Sequence, residues 1–215
     1  MSSMIRHVIW DWNGTLVNDV DLCVDILNLM LSAHCLPPIS VNQYRETFFF
    51  PVAQFYKTLN LPSSGHQYKK LADDFIQTYR DRFEECELNQ GAFEAVRTLS
   101  SNGVSQSILS AGAQKDVETF VSFYQLHPWI RWIDGANNVE ASGKGERAVN
   151  HLSQIELDPI EILLIGDTLH DLEVANLLGC QTLLYSGGHT NETRLLEATD
   201  LIIPSLLDVV QWVHD

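Results

Sequence analysis

Basic residues are scarce in this chain. It carries 13 Lys and Arg against 28 Asp and Glu among 215 residues, a formal net charge of −15. A nucleic-acid partner needs cations to neutralise its phosphates, so charge argues against that class. Cysteine is sparse too: Cys23, Cys35, Cys86 and Cys180 show no C-x-x-C spacing. Unpaired thiols in a reducing, cytoplasmic setting are the simplest expectation. No apolar stretch approaches the roughly 18 residues of a membrane span. The stretch ahead of the first apolar run reads as too short for a secretory leader. Internal repeats and low-complexity tracts are lacking as well. What remains is a chain 45% hydrophobic, enough for one core with a smaller appendage.

Three apolar runs end in polar clusters. Val8-Ile9-Trp10 leads into Asp11-Trp12-Asn13-Gly14-Thr15, and Ile108-Leu109 into Ser110-Ala111-Gly112. Ile162 to Ile165 leads into Gly166-Asp167-Thr168, with Asp171 four residues after Asp167. Short apolar runs that alternate with helical patterns read as buried parallel strands. Ligands of such sheets sit beyond the carboxyl ends of the strands. One edge would therefore gather three aspartates, a serine and several small-residue turns, a place to hold a divalent cation beside an anion.

The pattern changes after the first strand. Asp21 to Cys35 has helical spacing and stops at Leu36-Pro37-Pro38. An apolar stretch from Phe48 to Leu61 follows, then a helical stripe from His66 to Glu85. No strand signal appears there, and Leu88 to Gly91 reads as a linker. From Ala92 onward helices and strands alternate, which implies a parallel sheet covered on both faces. The expected architecture is an α/β, Rossmann-like core of residues 1–16 and 89–215. An all-helical cap of residues 17–88 would sit over the first strand's carboxyl end. Phe48, Phe49, Phe50, Phe55 and Tyr56 are expected mainly to form the cap's own small core. Lys57, Lys69 and Lys70 are expected on a solvated face. Trp129 and Trp132 are expected to pack or to pair with a neighbour.

Asp11 to Val17 resembles the first motif of the haloacid dehalogenase superfamily, usually Asp-x-Asp-Gly-Thr-Leu. Ser110 resembles its second motif and Lys144, in Ser142-Gly143-Lys144-Gly145, its third. Gly166-Asp167-Thr168-Leu169-His170-Asp171 resembles the fourth, Gly-Asp-x-x-x-Asp. Four motifs in order over nearly the whole chain carry far more weight than one. The phosphoglycolate-phosphatase-like branch with a helical cap looks most similar, and the family's sheet order is 5-4-1-2-3.

The resemblance implies a phosphatase that works through an aspartyl phosphate on a small phosphorylated metabolite. Asp11 would be the nucleophile. Asp11, the Asn13 carbonyl and Asp167 would bind Mg²⁺ directly, with Asp171 acting through water; hard oxygen ligands suit that ion. Gly14, Thr15, Ser110, Ala111 and Gly112 would cradle the phosphate, and Lys144 would place a charge on it.

Position 13 departs from the pattern. The family's phosphatases carry Asp there as general acid and base, and an amide cannot titrate. General acid–base catalysis is worth roughly 10²–10⁴ in rate, so activity should survive, least on poor leaving groups. His170 is the only obvious titratable stand-in, and a solvated loop histidine is its simpler reading. Asn13 also keeps open a phosphate-binding or regulatory relative with weak turnover. A phosphonate hydrolase using a cap lysine as Schiff base remains open too. A dehalogenase would not need the acidic cluster, and a phosphomutase would need the missing acid.

Overall fold

The computed structural model describes residues 4–136 and 144–214. Its elements, in chain order, are β1 (His7–Trp10), β2 (Val17–Asn18), α1 (Val20–Ala33), α2 (Val41–Thr47), α3 (Val52–Thr58), α4 (Gly65–Arg82) and β3 (Glu87–Leu88). They continue with α5 (Ala92–Ser101), β4 (Ser105–Ala113), α6 (Gln114–Phe123), β5 (Trp132–Ala136), α7 (Gly145–Ile155), β6 (Ile162–Gly166) and α8 (Leu169–Leu178). The chain closes with β7 (Gln181–Tyr185), α9 (Glu192–Leu196), β8 (Ile202–Ile203) and α10 (Asp208–His214).

β1 lies in the middle of a six-stranded parallel sheet of order β5-β4-β1-β6-β7-β8. Counted over the core strands alone, this is the doubly wound order, with the family's expected arrangement extended by a sixth strand. Every residue of β1 and β6 is buried. Their alternation separates two cores. Val8, Trp10, Leu163 and Ile165 pack on one face with Ala95, Val96 and Leu99 of α5 and Val209 of α10. Ile9, Ile162 and Leu164 pack on the other with Ala148 of α7 and Val174 and Ala175 of α8. Side chains of a strand alternate faces, so a run apolar throughout must be covered on both. The Trp10 indole keeps its hydrogen bond inside this core by donating to Gln106 Oε1 at 3.0 Å.

The helical insert follows the first strand as expected, with three differences from the sequence reading. It is flanked by a short antiparallel pair, Val17 opposite Leu88 and Asn18 opposite Glu87, too brief to leave an alternating pattern. It also holds a separate helix, α2, which buries only Tyr44 and so shows no stripe. A capping box, Ser40 with Gln43, starts that helix. The stretch read as a linker is structural: Asn89 is buried, and its amide nitrogen reaches the carbonyls of Gly14, Thr15 and Val17 at 3.0, 2.8 and 3.2 Å. The turn after β1 is thereby pinned from the far side of the insert. All four cysteines are free. Among the described residues, no helix is long and apolar enough to cross a membrane.

Candidate active site

β1, β4 and β6 deliver their polar clusters to the same edge of the sheet. Asp11 follows β1 directly, its backbone N–H donating to Ile165 O at 2.8 Å. Asp167 follows β6, and Asp171 stands in the first turn of α8. Lys144 caps the start of α7 and is 3% exposed. Its Nζ lies 2.8 Å from Asp11 Oδ1 and 2.5 Å from Asp171 Oδ1, and donates to Leu109 O at 3.2 Å. Ser142 and Gly143, read as part of the lysine loop, lie outside the described residues.

Gly14 has φ +74°, and a Cβ there would stand 2.4 Å from both Asp167 Oδ2 and His189 Cδ2. Left-handed backbone and lack of space each require glycine. The Thr15 hydroxyl donates to Asp167 Oδ1 at 3.0 Å, and the His189 N–H donates to Asp167 Oδ2 at 2.6 Å. The Thr15 hydroxyl, read as helping to place a phosphate, is engaged with Asp167 in this structure. Asp171 does two jobs. Its Oδ2 accepts from the Thr168 N–H at 3.0 Å and the Thr168 hydroxyl at 2.8 Å, a capping box for α8, while Oδ1 faces Lys144.

Ser110, Ala111 and Gly112 are also placed differently from the reading. They belong to β4, which runs on to Ala113, and α6 is capped by Ala113. No helix N-terminus starts at Ser110. Ser110 is buried, and its hydroxyl accepts from the Gly112 N–H at 3.0 Å. That amide is therefore engaged within the strand end, which pairs Ala113 with Ala136 after a register shift.

The electrostatics follow from burial of like charges. Burial raises the Asp11 carboxyl pKa, with Lys144 opposing and Asp171 adding to the rise. Asp167 is pushed up to about 8 by burial, opposed by His189 and reinforced by repulsion from Asp11 and Asp171. Asp171 is lowered despite burial because Lys144 faces it. Burial would lower Lys144, but the two carboxylates outweigh it and hold the ammonium charged. Asp11, Asp167 and Asp171 each offer an oxygen within 4.8 Å of the others. Three buried carboxylates with one lysine among them leave uncompensated repulsion. A hard divalent cation fits both that charge and that all-oxygen donor set.

A second buried cluster lies beside the first. Asp19 is fully buried and accepts from the Gly14 N–H at 2.8 Å, Asn13 Nδ2 at 2.6 Å and the Tyr79 hydroxyl at 2.8 Å. His189 Nε2 stands 3.3 Å from Asp19 Oδ1, and Nδ1 lies 3.0 Å from the Tyr44 hydroxyl. Burial opposes charge on His189, yet Asp19 raises it to about 9. Asp19 is lowered despite its burial by His189, Asn13 and Tyr79. Cys23 joins through a 3.7 Å contact of its Sγ with Asp19. With its oxygens already bonded, Asp19 forms a polar knot rather than an open metal centre. Sequence reading missed Asp19, His189, Tyr44 and Tyr79. The available signal was a fourth apolar run, Thr182 to Tyr185, ending in Ser186-Gly187-Gly188-His189-Thr190.

Residues 8–185 match the family model described as haloacid dehalogenase-like hydrolase. The chain belongs to the haloacid dehalogenase-like hydrolase family. Phosphoglycolate phosphatase 1 of Pseudomonas aeruginosa is 22% identical over 214 residues, covering 95% of this chain and 78% of that one. A pyrophosphatase of Bacillus cereus is 24% identical over 188 residues, 83% of this chain and 82% of that one. A haloacid dehalogenase-like hydrolase from Streptococcus pneumoniae shares the fold with a TM-score of 0.82 at 21% identity, over 97% of this chain and 98% of that one.

Asn13 stands where the resemblance implies Asp. Its amide donates to Asp19 and, at 3.0 Å, to the Tyr79 hydroxyl. His170, the titratable stand-in, lies in the first turn of α8 and borders the same cavity as Asp11. Its Nδ1 pairs with Glu173 at 3.0 Å, and its Nε2 accepts the Lys144 N–H at 3.1 Å. Both ring nitrogens are engaged, and the second bond holds the backbone that carries Lys144.

Proposed function

We propose that the protein is a Mg²⁺-dependent phosphatase that hydrolyses a small phosphorylated metabolite through an aspartyl phosphate on Asp11. The observation that carries this reading is the buried Lys144 ammonium set between Asp11 and Asp171, with Asp167 close by. Asp11, the Asn13 carbonyl and Asp167 would hold the ion, with Asp171 behind them. When bound, the ion supplies charge neutralisation between a carboxylate and an anionic substrate. Asp11 presents the attacking oxygen, and Lys144 balances charge on the phosphoryl oxygens as the bond to phosphorus forms. Gly14, Thr15, Ser110, Ala111, Gly112 and Lys144 surround the phosphoryl group, with the Thr15 hydroxyl acting through Asp167 and the Ser110 hydroxyl through Gly112. Residues 17–88 would act as a cap over the core of residues 1–16 and 89–215, excluding water from the first step.

The phosphonate hydrolase reading loses its support at the cap. Lys57, Lys69 and Lys70 are exposed, and none lines the cavity above Asp11. The test is phosphate release from aryl, acyl and alkyl phosphates with Mg²⁺ or EDTA, for wild type and Asp11→Asn. Metal-stimulated release that falls roughly 10³-fold or more in the variant supports the reading. No release from any ester, with phosphate still bound, would favour the binding relative that Asn13 left open.

A further inference from the structure

We propose that the substrate is a one-ring aryl phosphate, the monoester of a small apolar phenol. This rests on the phosphatase reading and names its substrate class. A cavity of about 150 Å³ is bordered by Asp11, Gly112, Lys144 and Asp171. The helical insert builds its walls from Leu27, Phe48, Phe55, Tyr56, Phe75 and Ile76. Of these, Phe48, Phe55 and Tyr56 were expected mainly to pack the cap. Several do so and face the cavity as well.

Charge narrows the substrate first. Among the described residues, no Lys or Arg of the insert lines the cavity. The one ammonium there, Lys144, already faces two carboxylates. Asp116 adds an acid to the wall, and its partner Arg80, at 2.8 Å, is not part of the lining. A second anionic group on the substrate would meet aromatic rings, carboxylates and the His189 ring, whose charge Asp19 already pairs at 3.3 Å, so it would be buried with no free cation, which is costly. Two of the wall's hydroxyls are already engaged. The Tyr44 hydroxyl is engaged with His189 and the Tyr79 hydroxyl with Asp19.

Size narrows it further. The apolar part of the wall offers room of the order that holds one benzene ring, about 150 Å³. Phe48 and Phe55 meet edge to face, with centroids 5.2 Å apart at 83°, the kind of contact a substrate ring would extend.

The leaving group gives an independent reason. Asn13 cannot donate a proton. A phenol titrates near 10, as tyrosine does, so its oxygen departs without full protonation. In the step, an Asp11 oxygen bonds to phosphorus and the bond from phosphorus to the aryl oxygen breaks. The electron pair leaves on the phenolic oxygen, which takes its proton from solvent. Water then attacks phosphorus, the bond to Asp11 breaks, and inorganic phosphate and the free carboxylate result.

The test compares ligands on the wild-type protein with Mg²⁺. Calorimetry of phenylphosphonate, methylphosphonate and phosphonoacetate reads the cavity without turnover. Phenylphosphonate should bind at least about tenfold tighter than either of the others, the factor expected for burying one apolar ring. kcat/KM for phenyl phosphate should exceed that for phosphoglycolate by at least the same factor. Ile76→Lys, which sets a cation in the wall, should reduce the preference for phenyl over carboxymethyl ligands about tenfold or more. Phosphonoacetate binding as tightly as phenylphosphonate, or faster turnover of phosphoglycolate, would overturn the substrate class. Acetyl phosphate hydrolysis that depends on Asp11 would then leave the phosphatase reading intact. Ring-selective binding with no turnover of any ester would sustain the aryl-accepting cavity and remove the phosphatase reading.

Discussion

Asn13 and Asp19 explain each other. Asn13 Nδ2, partly buried, donates to the buried Asp19 Oδ2 at 2.6 Å. A carboxylate at position 13 would turn that bond into repulsion against a buried acid. Asn13→Asp should therefore destabilise the fold by about 1–3 kcal/mol, read from urea unfolding. Adding Asp19→Asn should recover part of the loss in a double-mutant cycle. A neutral Asn13→Asp variant would contradict the pairing. His7, at the opposite end of β1, offers a pH prediction. It lies among Ser105, Ser107, His151, Arg131 and Trp132, and burial, with His151 and Arg131 adding, lowers its pKa to about 3. Below about pH 6.5 the unfolded chain binds a proton that the folded one refuses. Stability should then fall by up to about 1.4 kcal/mol per pH unit down to about pH 3. His7→Gln should flatten that slope, and an unchanged slope would remove His7 as its source. Asp11, Lys144 and Asp167 were legible because each stands at the end of a run or beside a glycine in the chain, and Asp171 because it follows Asp167 by four residues. Asp19, Tyr79 and His189 come from separate segments, and only the fold brings them together.

At the scale of elements, α7 carries the site's lysine into a buried position. Lys144 is the N-cap of α7, and His170 of α8 accepts its backbone N–H. Removing the ammonium leaves Asp11 and Asp171 buried with no cation between them. Lys144→Met should cost about 3–5 kcal/mol, with added Mg²⁺ restoring part of the lost Tm. A thermally neutral variant would show that the ion pair matters little. His170→Ala should lower phosphate release while leaving the shape of its pH profile unchanged, because the ring acts through Lys144. A profile that loses a limb would instead make His170 a proton carrier. Element order was readable from alternating patterns. β4 was not readable to its end, because Ser110 to Ala113 are small rather than apolar yet still pair as a strand. α2 escaped because a helix with one buried residue leaves no stripe.

Over the whole molecule, the doubly wound sheet gathers the polar ends of β1, β4 and β6 at one edge, and the insert roofs them with aromatic side chains. The fold class followed from the sequence because strands buried on both faces permit few arrangements. The chemistry of the roof did not, since an apolar stripe looks the same whether it faces a core or a ligand. The most direct measurement is borohydride trapping during turnover of phenyl phosphate with Mg²⁺, followed by peptide mass spectrometry. Reduction of an aspartyl phosphate converts its residue to homoserine. The site described above predicts homoserine at position 11, accumulating because Asn13 cannot activate the attacking water. Sustained turnover with Asp11 unmodified and no phosphoryl-enzyme formed would contradict nucleophilic catalysis by Asp11.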